Sequence, residues 1–367
     1  MNLELSDEQA ALRDTTRHFL AEKASVSDHV RPLLDDPTGT DESVWRGLAG
    51  LGVTGLLVPE DCGGSGMTMV EAGIVAEELG AALHPGPWLS TAVAAPRALN
   101  LLGANDTAAE LLRGIADGTT ITAVCFLDLG NASVTASRRD DGVALRGEAT
   151  GVPDAAAADE LLVLADDTGL FAVRNGSPGV SIAAQPGIDP TRKQFRVSFD
   201  AAPARRLAPV SAHQIAAVID DVLIASAADA LGAARAVMDL AVGYAKARTQ
   251  FGQPIGSFQA IQHLCVDMYE TVELARSGVI HALWASDAHP GADGGERHLA
   301  ALRAKAFAGR LATVADTAIQ VFGGIGYTWE HDAHLYLKRL LGWSAFLGGP
   351  DRYLTEIGAR LAKRGHH

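Results

Sequence analysis

Apolar positions recur with a helical period at both ends of the chain and with a two-residue period between them. Leu12, Thr16, Phe19 and Leu20 fall on one helical face, and Ser6 with Gln9 three residues later has the pattern of a capping box. The run Pro59-Glu60-Asp61-Cys62-Gly63-Gly64-Ser65-Gly66 interrupts this helical region, which resumes through Glu77, Glu78 and Leu79. Near Thr119 the character changes. Ile121–Leu127 is β-prone, Arg138–Arg146 contains the hairpin signal Asp141-Gly142, Leu161–Ala165 is a short apolar run, and Phe195, Val197 and Phe199 alternate as in a half-buried strand. To about residue 210 the chain reads as a compact antiparallel β domain. From Ala212 the helical period returns. Val237, Leu240, Ala241 and Tyr244 form a stripe, and a long helical pattern runs from Arg297 to Ile319. Gly323-Gly324-Ile325-Gly326 stops it, the Gly/Ala-rich stretch 288–296 reads as an inter-helix loop, and another helix is expected from about His334. The expected organisation is α+β, with a helical domain over 1–118, a β domain over 119–210 and a second helical domain over 211–367. No internal repeat is evident.

A chain of 367 residues with 48% hydrophobic residues can bury a large core in two or three structural units. Charge or glycine breaks every apolar stretch well before the ~18 residues of a membrane span, so none is expected. The start, MNLELSDEQ, has no basic-then-apolar leader pattern, which leads to the expectation of a cytoplasmic protein. Cys62, Cys125 and Cys265 show neither a disulfide framework nor metal spacing. A formal net charge of -14 disfavours nucleic acid and anionic membranes as partners. An anionic ligand would therefore need a local basic pocket.

Two clusters carry candidate chemistry. In Ala247-Arg248-Thr249-Gln250-Phe251-Gly252-Gln253-Pro254-Ile255-Gly256-Ser257-Phe258-Gln259-Ala260-Ile261-Gln262, Arg248 offers a donor fork suited to phosphate, Gln250 a neutral hydrogen bond, Phe251 an apolar wall and Gly252 close backbone approach. In Gln320-Val321-Phe322-Gly323-Gly324-Ile325-Gly326-Tyr327-Thr328-Trp329-Glu330, glycines beyond a helix expose backbone amides to a ligand. Taken singly, each is better described as a helix ending in a solvated loop or a glycine cap.

Together the clusters closely resemble the paired signatures of the acyl-CoA dehydrogenase family. Pro59-Glu60 before Gly63-Gly64, Ala76-Glu77-Glu78-Leu79-Gly80 and the helix–strand–helix order agree with that resemblance, which covers essentially the whole chain. It implies an N-terminal helical domain, a middle β-barrel-like domain and a C-terminal four-helix bundle. It also implies a flavoprotein that oxidises the α–β bond of acyl-CoA thioesters with FAD, reoxidised by an electron-transfer flavoprotein or similar acceptor. In the family the flavin lies across a subunit interface. Residues matching Arg248, Gln250, Phe251, Gln320, Gly323 and Gly324 bind its diphosphate and adenosine half, and Phe322 stands where many members have His.

The departures from the family pattern are as informative. The family's Thr-Glu-Pro-x-x-Gly-Ser-Asp-like motif appears as Phe126-Leu127-Asp128-Leu129-Gly130-Asn131-Ala132-Ser133. Its Gly-Glu-Lys-x-Trp-Ile-Thr-Asn stretch appears as Gly147-Glu148-Ala149-Thr150-Gly151-Val152-Pro153-Asp154. Gly151 thus replaces the aromatic that flanks the flavin, and Pro153 lacks the usual backbone N–H. Counted without gaps from Gln320, the catalytic Glu position holds Leu347; the alternative position on the earlier helix holds Val222, followed by Leu223. Asp221 is a weak candidate for a relocated base and Asp229 a remoter one. The competing reading places Asp220 and Asp221 in the solvated first turn of a helix. His331 and His334 lack a third metal ligand in the sequence pattern, so no metal is expected.

Two assemblies follow from the resemblance. One is a homo-oligomeric acyl-CoA dehydrogenase with a relocated base. The other is the base-lacking subunit of a heterotetramer with a paralogous acyl-CoA dehydrogenase subunit, resembling the actinobacterial heteromeric pairs of sterol side-chain degradation. An acyl-CoA oxidase-like enzyme is a further alternative.

Overall fold

The computed structural model describes residues 4–102, 105–128, 132–140, 142–166, 169–288 and 295–364. Its helices are α1 (Asp7–Lys23), α2 (Arg31–Leu33), α3 (Glu42–Gly50), α4 (Met69–Ala81), α5 (Ala95–Leu102), α6 (Asp106–Ala116), α7 (Ala212–Ala247), α8 (Gln259–Ala288), α9 (Gly295–Ala308), α10 (Ala312–Phe322), α11 (Ala333–Ala345) and α12 (Pro350–Arg364). The strands are β1 (Thr122–Val124), β2 (Ala132–Arg139), β3 (Gly142–Pro153), β4 (Glu160–Ala165), β5 (Gly169–Arg174), β6 (Val180–Gln185) and β7 (Gln194–Pro209), with a minimal pair β8 (Thr249–Gln250) and β9 (Gln253–Pro254). Among the described residues, no helix is long and apolar enough to cross a membrane. The chain forms two compact units. One comprises residues 31–72 and 85–222, the other residues 1–30, 73–84 and 223–367.

The first unit is built on a seven-stranded sheet in the order β1-β4-β5-β7-β3-β2, with β6 beside β7. The neighbouring pairs are antiparallel except β1 and β4, which run parallel with Ala123 opposite Leu161. The sheet is therefore mixed rather than wholly antiparallel. The β2–β3 hairpin intervenes between β1 and β4 and supplies the long crossover that parallel neighbours need. The turn residue Asp141 lies outside the described residues, although the hairpin it was expected to close is formed.

Strand β7 has 16 residues and serves both halves of the sheet. Its first part pairs with β3 and β6, and its last part with β5. Residues from both halves consequently enclose one core, including Leu145, Leu161, Val163, Phe171 and Val173. Phe195, Val197 and Phe199 all point into it, as their alternation predicts. Each such side chain contributes about 1.5–3 kcal/mol on burial. The helices of this unit are fastened by polar caps and indole bonds: Asn105 accepts the Ala108 N–H at 2.9 Å, Trp45 Nε1 donates to Gly118 O at 2.9 Å, and Trp88 Nε1 donates to Val53 O at 2.9 Å. The Pro59–Gly66 break folds back tightly, and a Cβ on Gly64 would stand 2.1 Å from Val58 O.

The second unit is helical. At α1 the reciprocal capping box forms, Gln9 N to Ser6 Oγ at 3.2 Å and Ser6 N to Gln9 Oε1 at 3.0 Å, and Thr16 and Leu20 face inward. Helices α4 and α7 approach so closely that a Cβ on Gly80 would lie 1.9 Å from Asp229 O, and one on Gly232 would lie 1.8 Å from Glu77 O. Around this crossing, Arg17 grips Glu78 through two bonds of 2.9 and 2.8 Å, and Arg235 reaches Glu77 and Glu78 at 3.1 Å each. Two sequence expectations are modified. Leu240 is 42% exposed, whereas Val237 and Ala241 are buried, so the α7 stripe is narrower than its spacing suggests. The helix expected over Arg297–Ile319 is interrupted by a 3₁₀ turn at Gly309–Leu311. Gly309, in this turn, is pressed against Pro350, where a Cβ would stand 2.5 Å from the ring.

Candidate flavin-binding surface and the positions of a base

Helix α7 ends at Ala247, with the Arg248 N–H donating to Tyr244 O at 2.8 Å. The chain then makes a two-residue hairpin in which Thr249 pairs with Pro254 and Gln250 with Gln253. Phe251 and Gly252, at φ 52° and 82°, form its tip. This left-handed pair matches the twist of a tight hairpin, but it is unfavourable for phenylalanine. Ile255 N closes the loop on Arg248 O at 2.8 Å. Phe251 is 92% exposed, touching Phe258 edge-on at 6.1 Å. Arg248 and Gln250 are also exposed. Gln250 Nε2 rests on Thr249 O at 2.9 Å, while the Arg248 guanidinium makes no hydrogen bond or ion pair among the described residues.

The second cluster ends α10. Gly323 takes φ 66° and ψ −143°, a conformation available to glycine, and its N–H caps Ile319 O. A Cβ on Gly323 or Gly324 would meet nothing within 4 Å, so both backbones are open to an approaching group. Gln320 is exposed on the last turn of α10. Phe322 turns inward and joins the clusters: its ring lies 5.2 Å from Tyr244, one turn before Arg248, and 4.2 Å from His331. The motifs, far apart in sequence, are thereby held together by a packed aromatic contact. His331 Nδ1 accepts the Ala333 N–H at 3.1 Å, and His334 packs against Trp329 at 4.7 Å.

The positions where the family resemblance would place a proton-abstracting carboxylate have a different character. Leu347 stands at φ 54° in the connection between α11 and α12. Its carbonyl accepts from Tyr353 Oη at 2.6 Å and Arg352 at 3.3 Å. Val222 and Leu223 are buried within α7. Asp220 and Asp221 are buried too, Asp221 completely. The solvated-first-turn expectation is thus corrected: α7 starts at Ala212, more than two turns earlier, so both acids lie in its interior. Arg97 Nε bonds Asp221 Oδ2 at 2.6 Å. Asp229 is gripped by Arg339 through bonds of 3.0 and 3.2 Å, and Arg339 also donates to His84 O at 3.1 Å. In the β unit, Gly151 sits at φ 66° and its N–H donates to Gln185 Oε1 at 2.7 Å. The beginning of the altered Phe126–Ser133 stretch is buried, while residues 129–131 lie outside the described residues.

Sequence reasoning missed Arg97 and Arg339, the partners that neutralise the buried acids. The one available signal was a lone arginine inside an otherwise apolar helical segment, as in Ala95-Pro96-Arg97-Ala98-Leu99. Such a residue is either exposed or paired.

Comparison with known proteins agrees with this architecture. Family models for the acyl-CoA dehydrogenase N-terminal and C-terminal domains match residues 6–119 and 219–362. Acyl-CoA dehydrogenase IpdE2 of Mycobacterium tuberculosis is 33% identical over 358 residues, covering 97% of this chain and 98% of that protein. Acyl-CoA dehydrogenase FadE34 of the same organism is 36% identical over 97% of this chain, which spans 48% of FadE34's own length. Among solved structures, a Tcur3481-Tcur3483 steroid ACAD variant superposes with a TM-score of 0.87 at 30% identity, covering 98% of this chain and 99% of that one. The ChsE4-ChsE5 complex from M. tuberculosis gives 0.88 at 26% identity, covering 99% of both chains.

The chain belongs to the acyl-CoA dehydrogenase family and has its fold. That family comprises FAD oxidoreductases acting on CH–CH bonds.

Proposed function

We propose that this chain serves FAD-dependent α,β-dehydrogenation of an acyl-CoA thioester as the base-lacking subunit of a heteromeric enzyme. In this reading Arg248, Gln250, Phe251, Gln320, Gly323 and Gly324 are presented to a flavin dinucleotide seated in a paralogous partner, which supplies the proton-abstracting carboxylate. The observation that carries the proposal is the contrast between exposed donors at those positions and inert or neutralised side chains wherever a base would stand. Leu347 and Val222 cannot accept a proton, and Asp221 and Asp229 are each bound to an arginine, the half-buried Arg97 and the buried Arg339.

The donor set suits the dinucleotide. Arg248 offers an uncommitted planar donor fork to a diphosphate, and Gln250 and Gln320 add neutral donors. The open backbone at Gly323 and Gly324 permits close approach, and Phe251 offers a flat apolar face. The chain's own ring-binding region suits a flavin poorly. Gly151 offers no aromatic flank, and Pro153 offers no N–H. Bound FAD would supply the hydride acceptor, to be reoxidised by an electron-transfer flavoprotein or similar carrier. Residues 119–210 are read as the middle domain between the two helical domains. The likeness to the ChsE4-ChsE5 complex supports a heteromer, and the steroid ACAD likeness supports a sterol-derived acyl-CoA as the substrate class.

The test is anaerobic. The purified chain, reconstituted with FAD and offered acyl-CoA, is expected not to bleach the flavin, whereas the co-expressed pair is expected to do so. Bleaching by the chain alone would contradict the proposal.

A further inference from the structure

Lys305 stands within α9 as a fully buried lysine with no carboxylate partner among the described residues. Its Nζ donates to the carbonyl of Trp343 and, at 3.3 Å, to that of Ser344, both in the last turn of α11. It also lies 3.8 Å from the centroid of the Trp343 ring and 6.0 Å from that of Tyr353. Four residues on, Gly309 abuts Pro350, the first residue of α12. Lys305 and Gly309 thus seat the two ends of the α11–α12 connection. The connection is short and internally bonded: Phe346 N donates to Gly342 O at 3.0 Å, Gly348 N to Ala345 O at 3.1 Å, and Tyr353 Oη to Leu347 O at 2.6 Å.

Several charged and titratable groups of α11 and α12 have partners other than Lys305. On α11, Arg339 is bound to Asp229. On α12, Tyr353 and Arg352 bond Leu347 O, and Glu356 bonds both Arg360 and His298 of α9. Carbonyls at a helix end and an indole face favour an ammonium. The loss of water costs more, and burial pulls Lys305 down to about 7.

We propose that Lys305 is a proton-operated clasp: uncharged, it lets the α11–α12 connection close over it, and charged, it drives that connection open towards water. In the open state the side chain regains its ordinary value of 10.5. The closed state therefore binds fewer protons, and acid favours opening. The open fraction grows about tenfold per pH unit as pH falls from about 10.5 towards 7, and is constant below. This inference concerns the folded chain itself and stands apart from the reading as a base-lacking subunit.

Hydrogen exchange over residues 343–353, corrected for intrinsic rates, tests it between about pH 9 and 6, with the α8 core around Ala275–Ala282 as reference. Protection of the connection is expected to fall about tenfold per unit from pH 9 to 7 and then level off, while α8 stays constant. K305M should abolish the dependence. A flat wild-type profile, an equal change in α8, or the same slope in K305M would overturn the clasp. If K305M does not fold, the wild-type profile against α8 decides the matter alone.

Discussion

The surface around Arg248 and Gly323 and the interior of α7 both carry polar groups, but they treat them in opposite ways. At the surface, donors are held on rigid scaffolding and left uncommitted: Arg248 has no partner among the described residues, and Phe251 is exposed at the tip of a hairpin held by Ile255 N on Arg248 O. In the interior, two of the acids are matched to arginines, Asp221 to Arg97 and Asp229 to Arg339. A buried carboxylate tied to a guanidinium maintains the fold and is poorly placed to exchange protons with a ligand. An exposed donor cluster adds little to folding and is available for binding. The difference separates residues committed to the fold from residues left available to a ligand.

That separation can be broken from either side. Replacing Arg339 by Leu leaves the Asp229 carboxylate buried without its partner and is expected to cost about 3–5 kcal/mol in urea unfolding. A cost below about 1 kcal/mol would show that water reaches Asp229 and that its site is not closed. Next in size is G232V, which forces a side chain into the α4–α7 crossing at Glu77 O. It should destabilise by about 3 kcal/mol, since neither backbone can yield easily. R248A should weaken FAD retention by the co-expressed pair about 10- to 100-fold, the effect of losing a charged hydrogen bond. It should leave the isolated chain within about 0.5 kcal/mol of wild type. Smallest is D221N, which keeps a bond to Arg97 and removes any basicity. Turnover of the pair should change by less than about twofold, and a loss of several orders of magnitude would identify Asp221 as the base.

The sequence announced much of this where a residue's local pattern and its role coincide. The Ser6–Gln9 cap, the inward alternation of Phe195, Val197 and Phe199, and the glycine stop at Gly323 all depend on near neighbours, and the structure has each of them. The parallel β1–β4 pair was invisible because β1 is only three residues long and its partner lies beyond an intervening hairpin. The break at Gly309 was missed because the apolar pattern continues across it, and Pro350, against which it packs, is distant in sequence. Asp220 and Asp221 looked like first-turn acids because Ala-rich sequence conceals where a helix starts; Asp221 is paired in the interior with Arg97, supplied from another helix. Likewise, Lys305 reads as an ordinary surface lysine until α11 and the Tyr353 ring of α12 are seen around it. For the candidate flavin-binding surface, the resemblance named the residues. The Tyr244–Phe322 contact that joins the two motifs emerged only from the fold.

The central claim is that this chain contributes to a flavin site without holding a complete one. FAD content per polypeptide, measured on the chain purified alone and again after co-expression with a paralogous partner, tests it most directly. Essentially no FAD is expected on the chain alone and one FAD per heteromeric pair; one FAD per chain in the isolated protein would overturn the heteromeric reading.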